Sequence, residues 1–190
     1  MIVYCATSNA GKLREFQAAG EGFDVRRLRA AVPPPEEPGL TFKENAIAKA
    51  EYYGRFEKGF LFAEDSGLEV DSLGGEPGVY SARYSGPNAT DEENNARLLA
   101  RLEGVKDRRA RFVCAVALVK DGALVKTFRG AVEGRIADRP RGTNGFGYDP
   151  LFYYEPFGCT FGEASLSEKM KVSHRGQALA QMFGFLGKLA

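Results

Sequence analysis

Histidine occurs once in this sequence, at His174, and cysteine three times, at Cys5, Cys114 and Cys159. With no CxxC pair and no His-rich spacing, the pattern argues against a zinc site, and the odd count of scattered thiols argues for a reducing compartment. Cys5 and Cys114 sit inside apolar runs, where buried thiols are common. No Ser or Cys nucleophile motif surrounds the one histidine, which disfavours a catalytic triad. The longest apolar run, residues 112–119, is far too short to span a bilayer, and the run at 1–6 is too short for a secretory core. Neither sign of charge dominates, because 26 Lys+Arg against 25 Asp+Glu leave a net charge of +1. That balance gives no broad positive field for nucleic acid. The expectation is a cytoplasmic protein with neither membrane nor nucleic acid as partner. Local charge is still enough for a small anionic ligand.

What is present reads as alternating strands and helices. Residues 2–6 are β-branched and aromatic, a polar turn follows, and Leu13 onward supports a helix. Residues 23–28 suit a second strand, and the proline-rich stretch 32–38 must be an extended loop because proline cannot donate ladder hydrogen bonds. Thr41 with Glu44 forms a capping box for a helix whose face carries Phe42, Ala46, Ala50 and Tyr53. A buried strand at 59–63 is expected to close at Glu64-Asp65-Ser66-Gly67. Thr90 with Glu93 starts another helix through Leu98, Leu99 and Leu102. Residues 109–119 and 124–136 read as antiparallel neighbours joined at Lys120-Asp121-Gly122. Ala178, Leu179, Met182, Phe183, Leu186 and Leu189 define the stripe of a docked C-terminal helix. At 190 residues one sizeable core, in one domain of one or two lobes, is the default.

Several segments carry chemistry, each with a plainer alternative. In Gly142-Thr143-Asn144-Gly145-Phe146-Gly147-Tyr148-Asp149-Pro150 the glycines allow close backbone approach, the aromatics can stack and the aspartate can accept from an edge, as a nucleotide requires. The alternative is a hairpin loop whose aromatics cover the core. Thr7-Ser8-Asn9-Ala10-Gly11-Lys12 offers a helix N-terminus and a mobile ammonium to an anion, or is a polar cap with a solvated lysine. It lacks the second glycine and the Lys-Ser/Thr pair of a Walker A loop. Glu64 and Asp65 could hold Mg²⁺ or activate water, with Glu36, Glu37 and Glu44 upstream, or Asp65 and Ser66 could form a turn while Glu44 caps its helix. Arg83 is a weaker phosphate candidate. Ser165-Leu166-Ser167-Glu168-Lys169 resembles a helix start, and Ser173-His174-Arg175 opens the last helix, where dipole and guanidinium favour an anion or a base carbonyl; a histidine cap is the alternative.

Six segments taken in order resemble the inosine triphosphate pyrophosphatase family, which hydrolyses non-standard purine nucleoside triphosphates. They are Thr7 to Lys12, Thr41-Phe42-Lys43-Glu44-Asn45-Ala46, Glu64-Asp65-Ser66-Gly67-Leu68, the run from Leu73-Gly74-Gly75-Glu76-Pro77-Gly78 to Tyr84, Phe146 to Pro150, and Glu168-Lys169 with Ser173-His174-Arg175. They run nearly the whole chain. The resemblance implies a mixed α/β fold, an elongated twisted sheet with flanking helices and two lobes around a nucleotide cleft, as one domain over residues 1–190. It implies cleavage of ITP, dITP and XTP to monophosphate and pyrophosphate, with Mg²⁺, in a homodimer. By the same resemblance Thr7, Ser8, Asn9, Ala10, Gly11 and Lys12 hold the triphosphate. Asp65 is general base and metal ligand, and Ser66 lies beside the substrate. Phe146, Gly147, Tyr148, Asp149, Lys169, His174 and Arg175 line the base and phosphate pocket, with Phe146 or Tyr148 against the ring. Glu36 aligns as second metal ligand, with Glu37 and Glu44 competing. Ser8 stands where many members have glycine and Glu64 where many have aspartate; both swaps keep size or charge.

Overall fold

From Phe60 the backbone stays extended for eleven residues, to Val70, straight through the acidic pair at which the strand was expected to close. Glu64 and Asp65 are 4% and 7% exposed. Carboxylates tolerate that burial only when cations compensate them, and here both do find cations. The turn reading of Asp65 and Ser66 is thereby corrected.

This computed structural model describes residues 1–29 and 32–189. Seven strands follow in the chain as β1 (Ile2–Cys5), β2 (Asp24–Arg27), β3 (Phe60–Val70), β4 (Arg109–Lys120), β5 (Ala123–Ile136), β6 (Phe152–Tyr154) and β7 (Cys159–Thr160). Five α-helices accompany them: α1 (Ala10–Ala19), α2 (Phe42–Tyr53), α3 (Asp91–Arg101), α4 (Leu166–Val172) and α5 (His174–Leu186). The sheet order is β2-β1-β3-β4-β5-β6-β7. It is mixed: β1 runs parallel to β2 and β3, while β6 is antiparallel to β5 and β7. Adjacent strands β4 and β5 are joined through Asp121 and Gly122, whose φ values of 51° and 83° suit a tight antiparallel hairpin.

The chain divides into two compact units. One comprises Met1–Asp65, Cys114–Gly130 and the chain from His174 onward; the other comprises Ser66–Val113 and Ala131–Ser173. In the first, successive residues of β3 point to opposite faces. Glu64 meets Lys12 of α1 and Arg175 of α5, whereas Asp65 meets Asn45 and Lys49 of α2. Helices α1 and α5 therefore cover one face and α2 the other. Phe16 of α1 packs edge-on against Phe62 at 5.0 Å between centroids, with Phe183 of α5 beside it. Fully burying one such ring stabilises by about 1.5–3 kcal/mol.

The core of the second unit gathers Leu68, Leu98, Leu102, Phe112, Ile136, Tyr148, Leu151, Phe152 and Phe161. Capping boxes at Thr41/Glu44, Thr90/Glu93 and Ser165/Glu168 fix the starts of α2, α3 and α4. Each such cap contributes about 1 kcal/mol. The C-terminal stripe is buried through Leu186, while Leu189 lies past the helix end and is 54% exposed. Among the described residues no helix is long and apolar enough to cross a membrane.

Candidate active site

The expected residues fall into two clusters, one in each unit. In the first unit Thr7-Ser8-Asn9 forms a polar turn that ends in the N-cap of α1. Thr7 Oγ1 accepts the Asn9 N–H at 3.1 Å, and Asn9 Oδ1 accepts the Lys12 N–H at 3.0 Å. Ser8, Asn9 and Ala10 are exposed, and Gly11 and Lys12 are half-buried. The first turn of α1 thus presents backbone donors to solvent, with no acidic side chain to repel an anion. The Lys12 ammonium folds back onto Glu64.

Glu64 anchors a buried charge network. Besides Lys12, Arg175 Nη2 approaches its Oε2 at 3.4 Å, and the Cys114 thiol donates to the same oxygen at 3.3 Å. Arg175 also pairs with Glu15. Burial alone would raise the pKa of Glu64, but Arg175, Lys12 and Lys49 outweigh it and hold the carboxyl well below its ordinary range. Arg175, 2% exposed, has its guanidinium committed to this network. His174, 3% exposed, opens α5 beside it.

Asp65 faces the other way and behaves oppositely. Its Oδ1 accepts from Lys49 Nζ at 2.9 Å and its Oδ2 from Asn45 Nδ2 at 3.2 Å. Burial raises its pKa above the ordinary value, and Lys49 offsets only part of that rise. Lys49 also reaches Glu37 Oε1 at 3.3 Å. Its own pKa is raised, because Asp65, Glu64 and Glu37 together overcome the burial that would lower it. Glu36, the acid expected to bind metal, is exposed. Glu44 is occupied as an N-terminal cap, accepting from the N–H groups of Leu40 and Thr41 at 2.9 and 3.1 Å. Glu37, one of the two alternatives, is the carboxylate that shares a cation with Asp65.

The second cluster is built on the glycine-aromatic loop. Asp149, 2% exposed, accepts the Phe146 N–H at 3.0 Å and pairs with Lys169 of α4. Gly145 adopts φ 75°, and a Cβ there would lie 2.0 Å from Asp149 Oδ2, so only glycine permits this closure. The Lys169 ammonium sits 5.2 Å from the half-buried Phe146 ring. Tyr148 belongs to the core, and its hydroxyl donates to the Ser81 carbonyl at 2.8 Å. Of the two aromatics expected to stack, Phe146 is half-buried, whereas Tyr148 is 5% exposed and packed into the core. Ser66, half-buried, follows Asp65 on β3. Arg83 lies over the exposed Tyr80 ring.

Lys49, Glu15, Asp91 and Asn95 belong to none of the functional segments expected from sequence, and Asn45 stands in one of them without an assigned role. A signal existed for two pairs: Asn45 and Lys49 on α2, and Asp91 and Asn95 on α3, each four residues apart on one helical face. In α2 that polar pair borders the apolar stripe, where amphipathic patterning alone reads it as solvated.

With this geometry in place, comparison with known proteins assigns the chain. Residues 3–185 match the model of the Ham1 family, and the chain belongs to that family. It is 51% identical over 185 residues to the dITP/XTP pyrophosphatase of Syntrophobacter fumaroxidans, covering 95% of this chain and 80% of the relative. It is 50% identical over 190 residues to the protein of the same name from Bacillus licheniformis, covering 97% of both. The structure of the Staphylococcus aureus Ham1 protein superposes with a TM-score of 0.87 at 40% identity, covering 100% of each chain. The mixed α/β sheet with flanking helices is therefore the Ham1 fold.

Proposed function

We propose that the chain acts as one nucleoside triphosphate pyrophosphatase domain, hydrolysing dITP, ITP and XTP to the monophosphate and pyrophosphate. The observation that carries this reading is Asp65. It is a buried carboxylate with a raised pKa, gripped by Lys49 and Asn45, in a chain half identical to dITP/XTP pyrophosphatases.

In the reaction a water oxygen bonds to the α-phosphorus, the bridge to the β-phosphate breaks, and the bridging electron pair leaves on pyrophosphate. Asp65 orients that water and takes its proton. The backbone N–H groups at the start of α1 and Lys12 bind the triphosphate, Lys12 exchanging Glu64 for phosphate oxygens. Ser66 lies alongside. Phe146 stacks on the purine, the Asp149–Lys169 pair fixes the loop that carries it, and His174 and Arg175 complete the substrate site. A 6-oxo group is rewarded by N–H donors where the adenine amino group would face them, which can cost orders of magnitude in rate.

The donor set suits Mg²⁺. Glu37 and Asp65 already converge on one cation, the Lys49 ammonium, at 3.3 and 2.9 Å. Among the described residues no group of three metal-ligating side chains forms. A two-carboxylate site whose remaining positions go to phosphate and water is the usual arrangement for this ion. Asp65 and Glu37 would hold Mg²⁺, and the ion, when bound, would supply neutralisation of the charge that develops on pyrophosphate. A cytoplasmic homodimer acting on free nucleotides rather than nucleic acid belongs to the same reading; the near-neutral charge and the family resemblance support it.

The test is a panel of ITP, XTP, GTP and ATP scored for pyrophosphate against orthophosphate, with Mg²⁺ and with EDTA. Pyrophosphate from ITP and XTP with Mg²⁺ alone is expected. Orthophosphate as product, or turnover in EDTA, defeats the proposal.

A further inference from the structure

Helix α3 carries two side chains that the proposed reaction does not use. Asp91 and Asn95 lie one turn apart on one face. Asp91 Oδ2 accepts the N–H of Gly147 at 2.6 Å, and Asn95 Nδ2 donates to the carbonyl of the same residue at 3.0 Å. One helix thus holds both backbone polar groups of a single residue, and that residue follows Phe146.

The holder is itself immobilised. The capping box at Thr90 and Glu93 fixes the first turn of α3. Between the two side chains, Asn94 accepts the Ser85 N–H at 2.8 Å and donates to the Ala82 carbonyl at 3.2 Å. On the loop side, the Phe146 N–H is tied to Asp149. The backbone that aims the Phe146 ring is therefore locked on both sides of its α-carbon.

Asn95 does this at a cost to itself. Turning its amide over would set oxygen against the Gly147 carbonyl, so its orientation is fixed. In that orientation Oδ1 has no hydrogen-bond partner among the described residues, although the residue is only 7% exposed. Buried acceptors are normally satisfied. An amide kept in this posture serves the loop better than it serves the stability of α3.

Resting on the nucleotide reading above, we infer that Asp91 and Asn95 are positioning residues for base selection. Stacking on a ring face is tolerant of substituents, so Phe146 alone cannot tell xanthine from guanine or adenine. A ring held at one angle and depth fixes how far the base edge enters, and the amino substituents are then rejected by donors and shape. A loosened loop admits them.

The experiment compares kcat/KM for XTP, ITP, GTP and ATP, inhibition by inorganic tripolyphosphate, and thermal midpoint for wild type, Asp91→Ala, Asp91→Asn and Asn95→Leu. Asp91→Ala and Asn95→Leu are expected to lower the XTP-to-GTP ratio about tenfold, the size of effect that misplaced recognition groups produce. Tripolyphosphate, which has no base, inhibits all four proteins equally. Asp91→Asn keeps an acceptor oxygen and restores the ratio, and Asn95→Leu stays folded with a thermal midpoint close to wild type, because loss of the bond to the Gly147 carbonyl is offset by removal of the unmatched oxygen. An XTP-to-GTP ratio unchanged in folded Asp91→Ala overturns the inference alone, as does weakened tripolyphosphate inhibition in step with the ratio. A wild-type enzyme with no preference for XTP and ITP overturns the function reading and this inference together.

Discussion

Glu64 and Asp65 are neighbours on β3, similarly buried, and their carboxyl groups are driven in opposite directions. On the face covered by α1 and α5, Glu64 meets Lys12 and Arg175, with Lys49 adding its field, and burial loses to three cations. On the face covered by α2, Asp65 has one close cation, shared with Glu37, and burial wins. A strand's two-residue period separates the environments without separating the residues along the chain. The consequence is a contrast in charge state: Glu64 is the counter-ion that Lys12 of α1 and Arg175 of α5 share, and Asp65 keeps a pKa raised above its ordinary value.

The sharpest break in that comparison is Asp65→Asn. It keeps shape and the bond to Lys49 while removing the base, so pyrophosphate release falls by roughly 10³-fold, within the range for general base catalysis. The fold survives, with stability within about 1 kcal/mol of wild type by denaturant titration. Turnover near wild type in this variant would remove Asp65 from the mechanism.

Glu64→Gln is expected to do the reverse. Arg175 and Lys12 lose their shared anion in a site that is 2% exposed at the Glu64 side chain. Breaking one side of a buried charge network costs about 3–5 kcal/mol. For a chain of this size the thermal midpoint falls by roughly 10 °C. Residual folded protein keeps a working Asp65, so kcat per folded molecule suffers far less than in Asp65→Asn. A Glu64→Gln protein as stable as wild type would show that the network is idle.

Lys49→Met sharpens the comparison by making Asp65 still less like Glu64. Lys49 is the charge that lowers the Asp65 pKa against burial, so its removal lets that pKa climb further. The acid limb of the kcat/KM profile then moves to higher pH, because the close opposite charge that favours the ionised carboxylate is gone. A limb that stays put, or moves down, contradicts the assignment of Asp65 as the titrating base.

How much of this was legible beforehand differs between the two sides of the strand. The helices that carry the partners were readable: Thr41/Glu44 and Thr90/Glu93 marked starts through a local hydrogen-bond pattern, and the structure shows both boxes formed. The hairpin at Asp121-Gly122 was readable for the same reason, since positive φ is a local demand. Unreadable was the continuation of β3 through Glu64-Asp65-Ser66. Those residues favour a turn on their own, and only cations from segments up to 111 residues away make the extended course tolerable. Tyr148 and Phe146 looked equivalent as stacking groups because burial decides between them, and burial is tertiary. Glu36 and Glu37 are adjacent in an extended loop, where side chains alternate sides, so one residue of register separates the solvated acid from the one on Lys49.

The smallest effect is also the most diagnostic of opposite signs, because it appears in stability rather than rate. For Glu64 the folded pKa lies below the ordinary 4.5, so below that value the unfolded chain binds more protons than the folded one. Its stabilising contribution is complete above pH 4.5 and is lost as pH falls toward the folded pKa. For Asp65 the folded pKa lies above the ordinary 3.8, so between the two values the folded chain binds more protons, and stability declines as pH rises through that window. Denaturant midpoints measured from acid to neutral pH should therefore separate the variants. Relative to wild type, Glu64→Gln has a flatter loss of stability toward acid, and Asp65→Asn loses the opposing decline, so its advantage over wild type grows as pH rises above 3.8. Curves for the two variants that differ from wild type with the same sign would mean that the two faces of β3 do not impose different environments on their carboxylates.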